Sequence, residues 1–406
     1  QDKRWGTFYS ASAAWRLDQE EFIKQFSFID NLKLRSSWGQ TGNDGGISNY
    51  AWQPLYALGW NNATEPGILQ SSLGSKSLEW ETNTAFDVAL EFGLFKNRIS
   101  GTIEYFDRKS TNLIFAVPLP LSVGIATETR NIGSMYNRGI ELQLGADVVR
   151  SKDFNWHIDL NATKLENKIT KMPDESKEII DGTKKLKEGS SLYDYWLREY
   201  KGVNPETGVA EYRAVSYVPS NSRITASGDT LTNNIANARY WYNGTSIADL
   251  TGSVNTSLTY KGFSLSALMV YQLGGKIYDG AYASLMSAGY HSAKHVDILK
   301  RWVNPGDITE VPRMDNGRTA DFDAASDRWL IDGSFMNIRT VTLSYRIPKS
   351  FMSKLKIDNA QVYVSGENFL MLSRRSGMNV QQNFGGTTSN VYSPAKSLVL
   401  GISFSL

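Results

Sequence analysis

The sequence contains no cysteine and no long apolar run, and each absence excludes a class of protein. Without cysteine there are no disulfide frameworks, thiolate zinc sites or cysteine nucleophiles. A chain that crosses an oxidising compartment unfolded gains from having no thiol to mispair, which favours export. The most apolar segment, residues 113–126, is interrupted by Pro118 and Pro120. We therefore predict no membrane-spanning helix.

Net charge is also nearly absent, since 43 Lys and Arg residues balance 41 Asp and Glu residues. A formal charge of +2 provides no field that would steer the chain toward nucleic acid or an anionic surface. We expect no nucleic-acid partner. The first ten residues, QDKRWGTFYS, have neither an apolar core nor a cleavage site of a signal peptide. The sequence is then that of a cytosolic protein, a mature chain or a fragment.

The dominant pattern is apolar alternation with a period of two residues. It is clearest in residues 397–406, where Leu398, Leu400, Ile402, Phe404 and Leu406 alternate with small or polar residues. Such alternation indicates a β-strand with two different faces. Ten other segments repeat it, and a change of phase near Arg339 predicts a β-bulge. We predict about eleven strands of roughly ten residues, near residues 7–17, 32–38, 84–95, 98–108, 137–149, 154–164, 251–260, 263–272, 334–346, 358–370 and 397–406.

The connections alternate in length. Short or moderate ones fall at residues 18–31, 95–98, 149–153, 261–262 and 347–357, and long ones at 39–82, 109–136, 165–250, 273–333 and 371–395. A soluble β-sandwich shows no such alternation, whereas outer-membrane barrels do. We therefore predict an all-β fold, an antiparallel transmembrane β-barrel with long extracellular loops. Aromatic residues near the short turns match an interfacial girdle: Trp15, Phe92, Phe95, Phe154, Trp156, Tyr260, Phe263, Tyr345 and Phe404.

The odd number of strands bears on how much of the barrel is present. Bacterial barrels have an even number, with both termini in the periplasm. Eleven strands that end there would place the first residue outside the cell. We therefore expect residues 1–406 to be the C-terminal portion of a larger barrel, whose upstream strands are absent from this sequence.

A set of longer strings spans essentially the whole chain: LKLRSSWGQTGN (Leu32–Asn43), LEWETN (Leu78–Asn83), EYFDRKSTNLI (Glu104–Ile114), NIGSMYNRGIELQL (Asn131–Leu144), YWYNGTSIADLTGSVN (Tyr240–Asn255), YKGFSLSALMVYQLGG, RWVNPGD, DRWLIDGSFMNIRTVTLSYRIP and VYVSGENFLML. In their order and spacing these strings together resemble the SusC/RagA family of TonB-dependent outer-membrane transporters.

The resemblance implies a barrel of about 22 strands, of which this chain holds roughly half. It further implies an N-terminal plug, which this chain lacks, and TonB-driven import of oligosaccharides or oligopeptides across the outer membrane of a Gram-negative bacterium. A SusD-like surface lipoprotein would act as the lid, and transporter–lid pairs would associate as dimers. No cofactor is implied. The alternatives are a TonB-dependent receptor for iron chelates or cobalamin, and a secreted β-rich binding or adhesion module.

Catalytic motifs are missing from the sequence. There is no G-x-S-x-G elbow, Walker A string or G-x-G-x-x-G loop. Glu79 and Glu81 share one side of a strand as a glycosidase pair would, but they lie within the family-like LEWETN string, which favours a structural role. We predict that the protein is not an enzyme.

Metal binding has little support either. His291 and His295 have the spacing of two ligands on one helical face, but no third ligand or catalytic base is evident. Asp321, Asp323 and Asp327 lack the pattern of a calcium loop, so we expect them to be solvated charges.

Substrate contacts are expected from aromatic residues in the long loops, because rings with neighbouring amides and acids commonly hold sugars. Loop packing is the competing interpretation for each of them. The charges at Arg374–Arg375 and Lys184–Lys187 are expected to be solvated. The candidate ligand-binding aromatics are Trp52, Trp60, Tyr240, Trp241, Tyr242, Trp302 and Trp329.

Overall fold

The computed structural model describes residues 5–45, 47–174, 176–290, 292–352, 357–375, 379–381, 384–388 and 394–405. Its main feature is one antiparallel sheet of eleven strands, each paired with the next along the chain. We number them β1 (Ser10–Arg16), β2 (Ile29–Asn43), β3 (Glu81–Leu94), β4 (Ile99–Thr111), β5 (Ser134–Arg150), β6 (Phe154–Lys171), β7 (Leu250–Tyr260), β8 (Phe263–Leu273), β9 (Phe335–Arg346), β10 (Asn359–Ser373) and β11 (Ser397–Ser405).

The eleven predicted strands are confirmed, but several are longer than predicted. β6 has 18 residues, because it continues past the apolar alternation into a polar stretch that ends at Lys171. The predicted bulge is also confirmed. Leu268 pairs with Thr340 and Met269 pairs with Ile338, which leaves Arg339 as the extra residue of β9.

The two faces of the sheet differ in polarity because the pairing keeps the alternation in register from strand to strand. Ile140, Ile103 and Leu400 are 53%, 47% and 78% exposed, so the apolar face is not covered by the chain itself. One apolar row runs through Leu32, Phe92, Gly101, Leu144, Leu160, Val254 and Met269, and the adjacent row on the opposite face through Lys33, Glu91, Thr102, Gln143, Asn161 and Ser253.

The predicted alternation of short and long connections is confirmed. Aromatic rings of neighbouring strands meet at the end of the sheet that carries the tight turns, with the rings of Phe263 and Tyr345 4.5 Å apart and those of Phe154 and Tyr260 6.5 Å apart. The five long connections are called loop A (44–80), loop B (112–133), loop C (172–249), loop D (274–334) and loop E (374–396).

The described residues of the long loops contain fourteen further strands, which were not among the predicted ones. These segments are only three to six residues long, so little alternation is visible in the sequence. They are Leu55–Leu58 and Ile68–Ser72 in loop A, Ile114–Pro118 and Thr127–Asn131 in loop B, Glu178–Asp181, Lys184–Lys187, Asp194–Arg198, Tyr200–Val203, Ala210–Arg213, Ser222–Ile224, Thr230–Thr232 and Tyr240–Thr245 in loop C, and Lys276–Tyr278 and Leu330–Asp332 in loop D.

Helices are few and short. No helix in the described residues has the length and apolar character needed to cross a membrane. The α-helices are Glu21–Lys24, Gly280–Leu285, Thr319–Phe322 and Lys349–Met352, and the 3₁₀ segments are Leu17–Gln19, Leu121–Val123, Ile235–Asn237, Val296–Lys300, Asn316–Arg318 and Asp327–Trp329.

The buried apolar residues lie mainly in the loops. Tyr212 of loop C packs in one cluster with Phe322 of loop D. Ile277 of loop D, Phe335 of β9 and Val380 of loop E form another. Loops C, D and E therefore pack into a folded layer at one end of the sheet.

Candidate functional site

Charged side chains form a connected network on the polar face of β2, β3 and β4. The Arg35 guanidinium donates to the carboxylates of Glu91 (2.9 Å), Asp87 (3.0 Å) and Glu104 (2.5 Å). Lys33 also donates to Glu91, at 3.3 Å. Because side chains along a strand alternate between its two faces, these five charged side chains all lie on the same face of the sheet. The network gives this face a hydrated, charged surface.

The polar face also lines an open groove of about 720 Å³ that spans β2 to β8. Carboxylate, amide and hydroxyl groups project from it, so a polar solute could exchange hydrogen bonds along several strands. The polar side chains on its lining are Asn31, Glu91, Ser100, Thr102, Gln143, Asp159, Asn161, Ser253 and Asn255.

Three predicted substrate aromatics, Tyr240, Trp241 and Tyr242, lie together on one strand of loop C. Tyr240 and Tyr242 share a face with Trp196, which pairs across the ladder with Tyr242. The Trp196 ring lies 6.1 Å from the Tyr240 ring and 4.8 Å from the Tyr242 ring. Arg198 and Lys185 cover ring faces here, at 4.5 Å from Tyr240 and 4.1 Å from Trp196. The protein's own cations thus already occupy one face each of Tyr240 and Trp196, which leaves less ring surface there for a ligand.

Trp241 has the opposite orientation and lines a cavity of about 550 Å³ between loops C and D, which we call the Trp241 cavity. Its indole Nε1 donates to Asp327 at 3.3 Å. Asp327 also accepts the Tyr200 N–H at 2.8 Å. The Lys276 ammonium donates to the Asn243 carbonyl at 2.7 Å. The lining comprises Trp241, Asn243, Thr245, Ile247, Asp249, Gly274, Gly275, Lys276, Asp327, Leu330, Ile331 and Asp332.

The carboxyl groups of Asp327 and Asp332 in this cavity have pKa values shifted in opposite directions. Burial raises the pKa of the Asp327 carboxyl above its usual range, because a charged carboxylate loses hydration there. Hydrogen bonds from Ser334 lower the pKa of Asp332. Sequence reasoning missed Asp249, Lys276 and Asp332. No local pattern joins these residues, because they come from two loops that are distant in the sequence.

The other predicted aromatics lie apart from these. Trp52 lines a separate cavity of about 620 Å³ in loop A, together with Trp5 and Trp80. Trp60 is 62% exposed, between the two strands of the same loop.

Two of the predicted aromatics pack the loops. Trp302 donates to the Pro205 carbonyl at 2.7 Å and covers Gly208, whose positive φ of 70° and close contact with the ring leave no room for a side chain. Trp329 is 1% exposed, clusters with Met286 and Val311, and is not accessible to a substrate.

The expectation of solvated basic charges in the loops was wrong at Arg375, Lys184 and Lys185, the last of which pairs with Glu178 at 2.6 Å. Arg375 of loop E forms an ion pair at 2.5 Å with Asp279, which is 1% exposed, and lies 3.7 Å from the Tyr282 ring. Lys184 lies 3.2 Å above the Tyr195 ring and is largely buried. Arg375 and Asp279 are far apart in the sequence, and Lys184 meets Tyr195 only through the pairing of two short strands, so no local pattern reveals either contact.

The loop aspartates are tied to protein groups instead of being solvated. Asp321 accepts from Arg318 at 2.8 Å, and Asp323 accepts from Ser287 Oγ at 2.6 Å. His295 accepts the Asp297 N–H at 3.1 Å, while His291 lies outside the described residues. Within the ranges described, no three His, Asp or Glu side chains are grouped as a metal site would require.

Glu79 and Glu81 anchor the start of the loops, as predicted from the LEWETN string. Glu81 accepts the Asn43 amide at 2.7 Å and the Ile114 N–H at 2.9 Å. Glu79 accepts from Asn112 at 3.0 Å. These bonds link loops A and B.

An antiparallel wall with one exposed apolar face, one polar face, tight turns at one end and folded loops at the other defines part of a transmembrane β-barrel. Residues 1–369 match the family model described as TonB dependent receptor-like, beta-barrel. The chain belongs to this family.

Individual relatives confirm the resemblance to SusC and RagA. The chain is 28% identical over 397 residues to TonB-dependent receptor P3 of Formosa agariphila, which covers 94% of this chain and 39% of the relative. It is 26% identical over 422 residues to TonB-dependent receptor SusC of Bacteroides thetaiotaomicron, covering 99% and 40%. The structure of the RagAB peptide transporter matches with a TM-score of 0.86 at 25% identity, over 100% of this chain and 44% of that chain. This chain spans about two fifths of the length of these sequence relatives.

Proposed function

We propose that the full-length protein is a TonB-driven importer in the outer membrane of a Gram-negative bacterium. Residues 1–406 supply the C-terminal portion of its barrel, and the plug and the remaining strands belong to a part of the protein outside this sequence. The cargo is an oligosaccharide or an oligopeptide, moved without catalytic conversion. A SusD-like surface lipoprotein closes over the loops, and the transporter–lid pairs associate as dimers.

One observation carries this proposal: a wall with an exposed apolar face and a polar face ends in a folded layer of loops, and the whole chain matches the RagAB peptide transporter. The apolar face suits lipid and the polar face suits a hydrated lumen. The polar groove offers donors and acceptors to a polar oligomer, and loops C to E place a preformed surface at the end of the sheet opposite the tight turns. A buried loop core favours recognition by a rigid surface.

Uptake by the native bacterium tests the proposal. Fluorescently labelled oligosaccharide and oligopeptide mixtures are offered to wild-type cells, to cells lacking the full-length gene and to cells lacking TonB. We expect accumulation of at least one mixture in wild-type cells, and its loss in both mutants. Equal accumulation of every mixture in all three strains would contradict the proposal. Co-purification of a surface lipoprotein with the receptor tests the lid separately.

A further inference from the structure

We propose that the Trp241 cavity binds a positively charged group, an ammonium or a guanidinium, carried by the imported oligomer. This inference rests on the proposed import function and narrows its substrate class. The charged group could belong to a basic residue of a peptide or to an amino sugar, and both present the same chemistry to the cavity.

The first support is an excess of unpaired acid. Asp249, Asp327 and Asp332 lie on the lining, which contains one basic residue, Lys276. Among the described residues none of these three carboxylates forms an ion pair, and Lys276 is engaged by the Asn243 carbonyl.

Other acids of the same loops are paired. Glu199 contacts Lys201 at 2.8 Å, and Glu211 contacts Arg223 at 2.5 Å. Among the described residues, Asp327 and Asp332 accept hydrogen bonds only from neutral donors, such as the Ser334 hydroxyl, which donates to Asp332 at 2.6 Å. Nearby charges act on them only from beyond ion-pair distance: Arg374 on Asp332, and Lys201 and Glu199 on Asp327. The cavity therefore holds carboxylates whose charge the described residues leave without an ion-pair partner.

The second support is the ring of Trp241. Elsewhere in these loops the protein places its own cations on aromatic faces, as with Lys184 on Tyr195 and Arg375 on Tyr282. In the part of the chain that the structure describes, no cation lies over Trp241, which is 40% exposed. Its bond to Asp327 fixes the indole beside a carboxylate. A ligand cation at this position would combine charge attraction with a cation–π contact.

The size of the cavity indicates an organic cation. A calcium ion needs several oxygens at about 2.3–2.6 Å from one point. The described acids do not converge in this way. The cavity of about 550 Å³ accommodates a larger group. An anionic sugar or phosphate would be repelled by the three carboxylates, which disfavours acidic cargo here.

Two matched pairs of probes test the inference on the full-length receptor purified in detergent. The first pair is a glucosamine tetramer and its fully N-acetylated form. The second is a lysine-containing pentapeptide and the same peptide with acetyl-lysine. Acetylation removes the charge while keeping the chain. We expect the charged member of at least one pair to bind about tenfold more tightly at low salt, and less so at high salt.

The pattern of binding identifies the source and can overturn the inference. If the receptor prefers the charged member of the sugar pair alone, the charged group belongs to an amino sugar. If it prefers the charged member of the peptide pair alone, the charged group belongs to a basic peptide. Equal binding of both members of each pair overturns the inference but leaves the proposed importer intact. If none of the four probes binds, the inference is rejected, and the uptake assay decides the importer separately. This comparison uses the wild-type receptor, so its result does not depend on whether a variant folds.

Substitutions in the receptor then test whether the preference for the charged probe arises in the Trp241 cavity. The double substitution Asp249→Asn and Asp332→Asn should reduce the charged-to-neutral affinity ratio to near one, and Trp241→Leu should reduce it partially. The matched control is Asp174→Asn, which removes an acid of loop C that is 88% exposed and paired with Lys177. Its affinity ratio should equal that of wild type. A control that lowers the ratio as much as the double variant would show that the effect is one of general surface charge.

Discussion

The Arg35 guanidinium on β2 reaches past β3 to the Glu104 carboxylate on β4, at 2.5 Å. On the way it contacts Asp87 and Glu91 of β3. One cation thus bridges three carboxylates on two neighbouring strands of the wall. The arrangement makes Arg35 the residue on which the charge balance of this part of the polar face depends.

Arg35→Met should destabilise the folded barrel by about 1–3 kcal/mol, because it leaves three partly buried carboxylates close together. The measurement is the temperature at which the full-length receptor loses heat-modifiable migration on gels. Arg138→Gln is the control, since it removes an exposed ion pair with Glu166 whose side chains are 42% and 51% exposed. Exposed pairs contribute about 0–1 kcal/mol. Equal shifts for the two variants would contradict a special role for Arg35.

The assignment of the two faces predicts opposite tolerance at neighbouring positions of β5. Leu142 pairs with Ile103 on the apolar face, whereas Gln143 lines the polar groove. Arginine facing lipid near the midplane costs about 2–4 kcal/mol, but a lumen position remains hydrated. Leu142→Arg should lower the yield of folded receptor in outer membranes, and Gln143→Arg should not.

Cysteine labelling distinguishes lipid exposure from ordinary burial. Residues 1–406 contain no cysteine, so single cysteines at Leu142 and Gln143 report without background from this part of the receptor. We expect the Leu142 position to react with a lipid-soluble reagent and the Gln143 position with a water-soluble one. Equal reaction of both positions with the water-soluble reagent would overturn the assignment of faces.

The main sheet was predictable because its signal is local. A period of two survives in every long strand, and even the bulge at Arg339 left a visible change of phase. Strand ends were less predictable, since the polar part of β6 up to Lys171 carries no apolar alternation. The short loop strands depend on packing between distant segments, as in the cluster that joins Tyr212 and Phe322.

The candidate site was predictable only in part. Adjacent aromatics at residues 240–242 attract attention in the sequence, and the structure places two on one face and Trp241 on the other. The acids that face Trp241 come from two loops, and Asp332 lies 91 positions away in the sequence. No spacing rule joins such residues. In the sequence Trp329 and Trp241 are both tryptophans of long loops, yet Trp329 is buried in the structure. Exposure is a property of the tertiary fold, so the local sequence could not distinguish them.

Close packing across strands predicts different tolerance at two glycines of β5. A Cβ at Gly139 would overlap the Lys164 carbonyl, which belongs to the backbone and cannot move aside. At Gly145 the nearest atom is an Asp159 oxygen at 3.2 Å, at the end of a flexible side chain. Gly139→Ala should cost about 1–3 kcal/mol of stability, and Gly145→Ala much less. Thermal unfolding of the two purified receptors compares them, and a larger loss at Gly145 would be inconsistent with this packing.

Trp329 should be needed for the loop layer and not for the barrel. Trp329→Ala removes a side chain that is 1% exposed, and the loss of a buried tryptophan costs about 3–5 kcal/mol. We expect faster hydrogen exchange in loop D and unchanged exchange in β3 to β6. Trp60→Ala, at a site that is 62% exposed, is the control and should leave loop D unchanged. Unaltered exchange in loop D of the Trp329 variant would show that the cluster does not hold the loop.

Lys184 should make the stability of loop C depend on pH. Burial lowers the pKa of its ammonium from 10.5 to about 7, with Asp194 opposing the shift. Between these values the unfolded lysine holds a proton that the folded one has lost, so loop stability rises with pH from about 7 and is lowest below it.

Hydrogen exchange of residues 184–187 in the full-length receptor at pH 6, 7.5 and 9, corrected for intrinsic rates, measures this dependence. The wild type should become more protected as pH rises, and Lys184→Met should remove the trend because no buried amine remains to titrate. Lys185→Met is the matched control: it deletes the neighbouring lysine, which pairs with Glu178 at 2.6 Å, and should keep the wild-type trend. A trend that persists in Lys184→Met would assign the pH dependence to another group.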